Sequence, residues 1–302
     1  MSKKIYGIIP PIVTPFDSAG DIDEAALREN VQFVISRGVH GICFGGSTGE
    51  GHTLTSDELE RVAEICAEEA QGRVPVIAGI ITNSTRDAAH KAKLMTKYAI
   101  DALQITPVHY VFRPDETATY NHFKVLSETT DLPILIYNVV PWNYLSPQLL
   151  VKIMNEIPNV KGVKQSAGDL KLFADLMITA PDDALIFSAV DALLYPSFAM
   201  GSHGTIAANP AAVPGVCVAL WDAVQAGNHT LAKEIHEALL RFWNTISDDN
   251  LPANVKFALS EQGVSTGLPR APMPATNAAQ AERIRAALPE VLKYEKKVAE
   301  LA

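Results

Sequence analysis

Cysteine is scarce in this chain of 302 residues: Cys43, Cys66 and Cys217 lie far apart and form no Cys-x-x-Cys pair. That excludes a disulfide framework and a zinc ribbon, and it suits reduced thiols in a cytoplasmic setting. The eight histidines show no His-Glu-x-x-His or similar ligand spacing, which leaves a metal site without support; no cofactor is expected. Positive charge is also short, with 25 Lys and Arg against 34 Asp and Glu and a formal net charge of -9. A nucleic-acid or anionic-membrane partner would need a basic face to offset phosphate, and none is expected here. No apolar run approaches the roughly 18 residues that span a bilayer. Two lysines precede an apolar stretch at the N-terminus, but Pro10 and Pro11 interrupt it and no small-residue cleavage site follows, so it reads as a first strand and not a signal peptide. What remains is a small-molecule partner.

The composition, 48% hydrophobic and 20% charged with Gly and Pro scattered, is that of a globular chain able to bury a large core. Short apolar runs recur at Tyr6–Val13, Gly41–Phe44, Pro75–Ile80, Ala102–Thr106, Pro133–Val139, Val160–Lys164, Ala184–Val190 and Gly204–Ala208. They stand roughly 20 to 35 residues apart, and the gaps carry helical periodicity. Between the second and third runs, Thr55-Ser56-Asp57-Glu58 reads as a capping box, followed by Leu59, Val62, Ala63 and Cys66 at helical spacing up to Gly72. Strands that are continuous apolar runs are buried on both faces, as in a parallel sheet wrapped by helices. Eight such units predict a (β/α)₈ TIM barrel. A doubly wound sheet would want Gly-x-Gly-x-x-Gly after its first strand, where this chain has Pro-Pro-Ile-Val-Thr-Pro-Phe. After about residue 210 only helical patterns follow, so residues 1–225 are expected to form the barrel with its active site and residues 226–302 a C-terminal helical extension.

Three segments carry the candidate chemistry. In barrels of this kind the reacting groups sit at the C-terminal ends of strands. Lys164 meets that condition on the sixth strand; a lysine taken out of water loses the solvation that holds its charge, and a free amine attacks carbonyls to form a Schiff base. Strand alternation sends its neighbour Lys161 to the opposite face. A lysine snorkelling into solvent is the plainer alternative. Tyr137 closes the fifth strand before Asn138, where a phenol can shuttle a proton; a core tyrosine with a capped hydroxyl is the common alternative. Ser47 and Thr48 lie in the turn Gly45-Gly46-Ser47-Thr48-Gly49-Glu50, whose backbone N–H groups and hydroxyls suit a carboxylate or phosphate; it lacks the lysine of a P-loop, and a plain tight turn is the alternative.

Taken together the segments form a pattern. The chain resembles the dihydrodipicolinate synthase and N-acetylneuraminate lyase family of pyruvate-dependent class I aldolases, from about Ile8 to Met273. The Gly45–Glu50 turn is similar to the family's Gly-x-[Ser/Thr]-Thr-Gly-Glu, Tyr137-Asn138 to its strand-five Tyr-Asn, and Gly162-Val163-Lys164 to its lysine strand. Thr14-Pro15-Phe16 and His203-Gly204-Thr205-Ile206 extend the likeness. The resemblance implies a barrel with a helical tail, usually a tetramer, acting without a metal on a 2-oxo acid and an aldehyde. It implies Lys164 as the Schiff-base residue, Tyr137 as the acid–base, Ser47 and Thr48 as the cradle of the keto-acid carboxylate, and Ile206 as a wall of the pyruvate pocket.

Two departures from the family pattern bear on function. Many members place a second tyrosine two residues after the strand-four proline, where it reaches a neighbouring subunit's proton relay. Here Pro107 is followed by Val108-His109-Tyr110, and Tyr110 is the preferred candidate over His109. Dihydrodipicolinate synthases also carry an arginine shortly after Tyr-Asn to hold the aldehyde's carboxylate, whereas Val139-Val140-Pro141-Trp142-Asn143-Tyr144 contains none. Losing a two-point guanidinium leaves that carboxylate without its partner. Trp142 and Asn143 are therefore the candidate contacts for the second substrate, Trp142 and Tyr144 as an apolar or sugar-stacking wall, with loop packing as the alternative. Asp191 on the seventh strand is read as a helix N-cap, or else as a group binding a substrate hydroxyl. The expected activity is that of a Schiff-base lyase: aldol cleavage, aldol condensation or dehydration. The alternatives are a 4-hydroxy-tetrahydrodipicolinate synthase and a non-catalytic 2-oxo-acid-binding protein.

Overall fold

The computed structural model describes residues 3–108 and 110–295. Eight parallel strands alternate with helices along the chain. The strands are β1 (Gly7–Ile8), β2 (Ile42–Phe44), β3 (Val76–Ile80), β4 (Ala102–Ile105), β5 (Ile134–Asn138), β6 (Val160–Gln165), β7 (Leu185–Ser188) and β8 (Gly204–Thr205). Between them run α1 (Glu24–Ser36), α2 (Ser56–Ala70), α3 (Thr85–Met95), α4 (Glu116–Thr129), α5 (Pro147–Glu156), α6 (Leu170–Thr179) and α7 (Leu194–Ala199). After β8 come α8 (Ala208–Ala212), α9 (Pro214–Gln225), α10 (His229–Ile246), α11 (Leu251–Ser260) and α12 (Ala278–Leu292).

The sheet runs β1-β8-β7-β6-β5-β4-β3-β2, each pair parallel. Its two ends meet through a parallel bridge between Pro11 and Cys43, where Ile12 N donates to Cys43 O at 2.7 Å and Cys43 N to Pro10 O at 3.0 Å. The sheet thus curls on itself with helices between its strands, which matches the predicted TIM-barrel fold. Strand alternation divides the core in two. Ile134, Ile136, Val163 and Ile186 pack outward beneath the helices, while Ile9, Cys43, Ile77, Leu135, Phe187 and Ile206 fill the inside of the curl.

All eight predicted strands are present, but the first and last are two residues long where eight and five were expected. Proline explains the first: Pro10 and Pro11 have no N–H to give a ladder. The predicted capping box of α2 is in place, with Thr55 Oγ1 accepting from Glu58 N and Glu58 Oε2 accepting from Thr55 N. The last predicted helix, Ala278–Leu301, is helical to Leu292, and residues 296–302 lie outside the described residues.

Candidate active site

Register places the two principal side chains together. Tyr137 on β5 pairs with Lys164 on β6, so both point to the inside of the curl at the C-terminal strand ends. The same parity puts Gly162 inward below Lys164, and a Cβ there would lie 2.0 Å from Leu185 O, so the lysine strand is fixed by close backbone packing. Lys164 and Tyr137 are each 4% exposed, and the Lys164 Nζ sits over the Tyr137 ring, 3.8 Å from its centroid. Lys161, by contrast, faces outward and pairs with Asp183 at 3.3 Å, as the alternation predicts.

Tyr137 is not a capped core tyrosine. Its Oη is 3.1 Å from Ser47 Oγ, across the curl from β5 to the turn after β2. That turn is shaped by backbone fit. Gly45 has φ +65°, and a Cβ on it would lie 2.6 Å from Gly79 O, so only glycine suits both the conformation and the space. Glu50, with φ +54°, closes the turn in the same unusual region, and its carboxylate is held by Lys256 Nζ at 2.6 Å and Arg270 N at 2.8 Å. Thr14 Oγ1 donates to Gly49 O at 2.7 Å. Asn138 then pins the loop beyond β5: its Oδ1 accepts from Leu145 N, and its Nδ2 donates to Leu145 O and Gln165 Oε1.

A cavity of about 320 Å³ opens over these groups, lined by Ser47, Thr48, Tyr137, Lys164, Ile206 and Asp191 among others. Asp191 lies buried on its wall, and burial pushes its carboxyl up to about 6 against the backbone donors that oppose the shift. Its two oxygens accept from Ala208 N at 3.1 Å and Asn209 N at 2.5 Å. The expected N-cap role thus falls on the segment after β8, not on the turn that Asp191 itself begins.

A second cavity of about 220 Å³ adjoins the first, sharing Ser47 and Val139 and lined also by His52, Thr106 and Trp142. Trp142, 58% exposed, therefore walls the neighbouring cavity. Asn143 lines neither: it is buried, and its Nδ2 donates to Val108 O at 2.7 Å, which binds one rim loop to another. Tyr110 also lines neither cavity and is 64% exposed, beside the exposed Val111 and Phe112. The rival position, His109, lies outside the described residues. No arginine lines either cavity among the described residues.

Sequence reasoning missed Trp243 and Leu251, which bring α10 and α11 to the wall of the first cavity. Their helical periodicity was legible, but an amphipathic pattern does not tell which end of a helix reaches the barrel mouth.

Comparison with known proteins gives the family. The model of the dihydrodipicolinate synthetase family matches residues 4–291. A 4-hydroxy-tetrahydrodipicolinate synthase of Methanopyrus kandleri is 35% identical over 276 residues, covering 90% of this chain and 92% of that one. The synthase of Bradyrhizobium diazoefficiens is 35% identical over 272 residues, covering 89% and 91%. Among solved structures, dihydrodipicolinate synthase from Aquifex aeolicus superposes with a TM-score of 0.90 at 27% identity, covering 97% of this chain and all of that one. The chain belongs to the dihydrodipicolinate synthetase family.

Proposed function

We propose that this enzyme is a Schiff-base lyase that joins pyruvate, or a pyruvate-like 2-oxo acid, to an aldehyde or reverses that reaction. The observation that carries the reading is the buried Lys164 amine over the Tyr137 ring, with Tyr137 Oη bonded to Ser47. The Lys164 Nζ attacks the keto carbon, and water leaves as the imine forms. The imine acts as an electron sink, so C3 gives up a proton and becomes an enamine carbon. That carbon bonds to the aldehyde carbon, the aldehyde oxygen takes up a proton, and water then hydrolyses the imine to free a 4-hydroxy-2-oxo acid and the amine.

In this reading Tyr137 delivers and removes protons, and Ser47 both hands them on and, with Thr48, holds the keto-acid carboxylate. Ile206 packs against the pyruvate methyl carbon. Tyr110, exposed on its own subunit, completes the relay in a neighbouring one, which requires a homo-oligomer, most simply a tetramer. Trp142 walls the second cavity beside that relay. Asn143 contributes by fixing the rim loop. Of the extension expected over 226–302, residues 226–295 carry three helices, the first two of which close the site, and the enzyme works in the cytoplasm.

The condensation of pyruvate with aspartate semialdehyde is the second reading, favoured by the synthase names of the two relatives at 35% identity. Among the described residues no arginine lines either cavity, which speaks for an aldehyde without a carboxylate. Borohydride reduction in the presence of pyruvate tests the shared step, since it converts the imine to a stable secondary amine on Lys164.

A further inference from the structure

The first cavity has two unlike ends. On one side are the Ser47 and Thr48 hydroxyls, Tyr137 and Lys164. The remaining wall is largely apolar: Val139, Val190, Ala192, Ala208, Trp243 and Leu251. The last two come from α10 and α11, so helices remote in sequence from the catalytic strands shape the space beyond the imine.

The charges lining this cavity are few. Lys164 is committed to the imine, and the other ionisable group besides Tyr137 is the buried Asp191 carboxyl. Among the described residues, a carboxylate on the second substrate would meet no free cation there and would face Asp191, a like charge when ionised. A sugar-like aldehyde fits no better. Each Asp191 oxygen already accepts one backbone N–H, and Ser166 is the one further polar side chain on that wall among the described residues, so a polyol finds few partners there. Hydroxyls buried against alanine, valine and leucine lose their water without gaining partners. An indole plane and a leucine side chain instead reward an apolar or flat ring with dispersion and desolvation.

We propose that the second substrate is an uncharged aldehyde carrying an apolar or aryl group, seated against Trp243 and Leu251. Trp243 is then a specificity residue for a site whose catalytic lysine belongs to the reading given above. The reaction is the one written there: C3 of the enamine bonds to the aldehyde carbon, whose oxygen is protonated. The cavity, at about 320 Å³, stands near the lower limit for small-molecule sites, which favours one compact ring over a long chain.

The test measures kcat/KM of the full-length protein for pyruvate condensation with benzaldehyde, D-glyceraldehyde and succinate semialdehyde. Benzaldehyde should lead both others by ~10-fold or more. Trp243→Ala should raise KM for benzaldehyde by ~10-fold or more while pyruvate imine trapping stays at the wild-type level, and Trp243→Phe should keep the preference. Leu251→Asn, a milder change, should narrow the gap between benzaldehyde and glyceraldehyde. A lead for either polar aldehyde, no turnover of benzaldehyde, or an unmoved benzaldehyde KM in Trp243→Ala or an unmoved gap in Leu251→Asn would overturn the proposal while leaving the Schiff-base reading intact. Absence of imine trapping in the wild type would overturn both.

Discussion

Lys256 and Glu50 are separated by 206 positions in sequence, yet their Nζ and Oε1 atoms stand 2.6 Å apart with both side chains only 2% exposed. This ion pair joins α11 to the end of the turn that presents Ser47 and Thr48. Lys256 Nζ also donates to Leu268 O, and Arg270 N donates to the second Glu50 oxygen, so the pair's remaining valences are largely met.

Removing one partner of such a pair leaves the other charge buried and alone. Lys256→Met should therefore destabilise the fold by about 3 to 5 kcal/mol, measured by urea unfolding. The double variant Lys256→Met with Glu50→Gln should recover much of that loss, because no bare charge is left behind. A single variant as stable as the wild type would mean that water reaches Glu50 freely.

Tyr137→Phe should keep imine formation but slow turnover by roughly 10²- to 10⁴-fold, the range for loss of a positioned proton donor. The variant keeps the ring beneath the Lys164 amine and removes only the hydroxyl bonded to Ser47. Steady-state kinetics beside borohydride trapping separates the two effects. Near-normal turnover would reduce Tyr137 to a packing residue.

Aspartate semialdehyde should condense poorly with pyruvate. Neither Arg113 nor Lys152 lines either of the two cavities, and Lys152 lies instead in a groove between α5 and α6. Replacing Asn143 with arginine should not rescue the reaction, since that side chain is buried beneath the rim and directed at Val108 O. A coupled assay giving kcat/KM of about 10⁴ M⁻¹s⁻¹ or more with this aldehyde would contradict the account.

His122 on α4 gives a pH dependence of stability. Its ring is buried, with Nδ1 2.9 Å from Thr85 Oγ1, and burial pushes the imidazole down to about 4 from 6.5. Because the folded value is the lower one, the unfolded chain binds the extra proton first as pH falls. Stability from this group is full above about pH 6.5 and is lost progressively toward pH 4, by at most about 3 kcal/mol. The stability difference between wild type and His122→Gln, followed by denaturant titration from pH 7 to 4, should shrink by that order. A difference that does not change with pH would show that His122 titrates in the folded state as it does in water.

Lys164, Tyr137, Ser47, Thr48 and Ile206 were legible because each sits at or just past a strand end, where the apolar run and the turn chemistry mark both the strand and its C-terminal tip. The eight strands were legible for the same reason: continuous burial writes itself as an apolar run. Asn143 and Trp142 share one loop after β5, but a short 3₁₀ turn at 141–143 sends one inward and the other out, which no periodicity reveals. Trp243, Leu251 and the Lys256–Glu50 pair depend on how α10 and α11 dock over the barrel mouth. That docking is set by contacts across some two hundred residues of chain, beyond the reach of local pattern.

The central claim is that Lys164 is the amine that binds the keto acid. Incubation with pyruvate and borohydride, followed by peptide mass mapping, tests it directly. Reduction should add the mass of a propanoate group irreversibly to the peptide containing Lys164, and Lys164→Ala should take up none. Labelling at Lys161, or no labelling of the wild-type protein, would contradict the account.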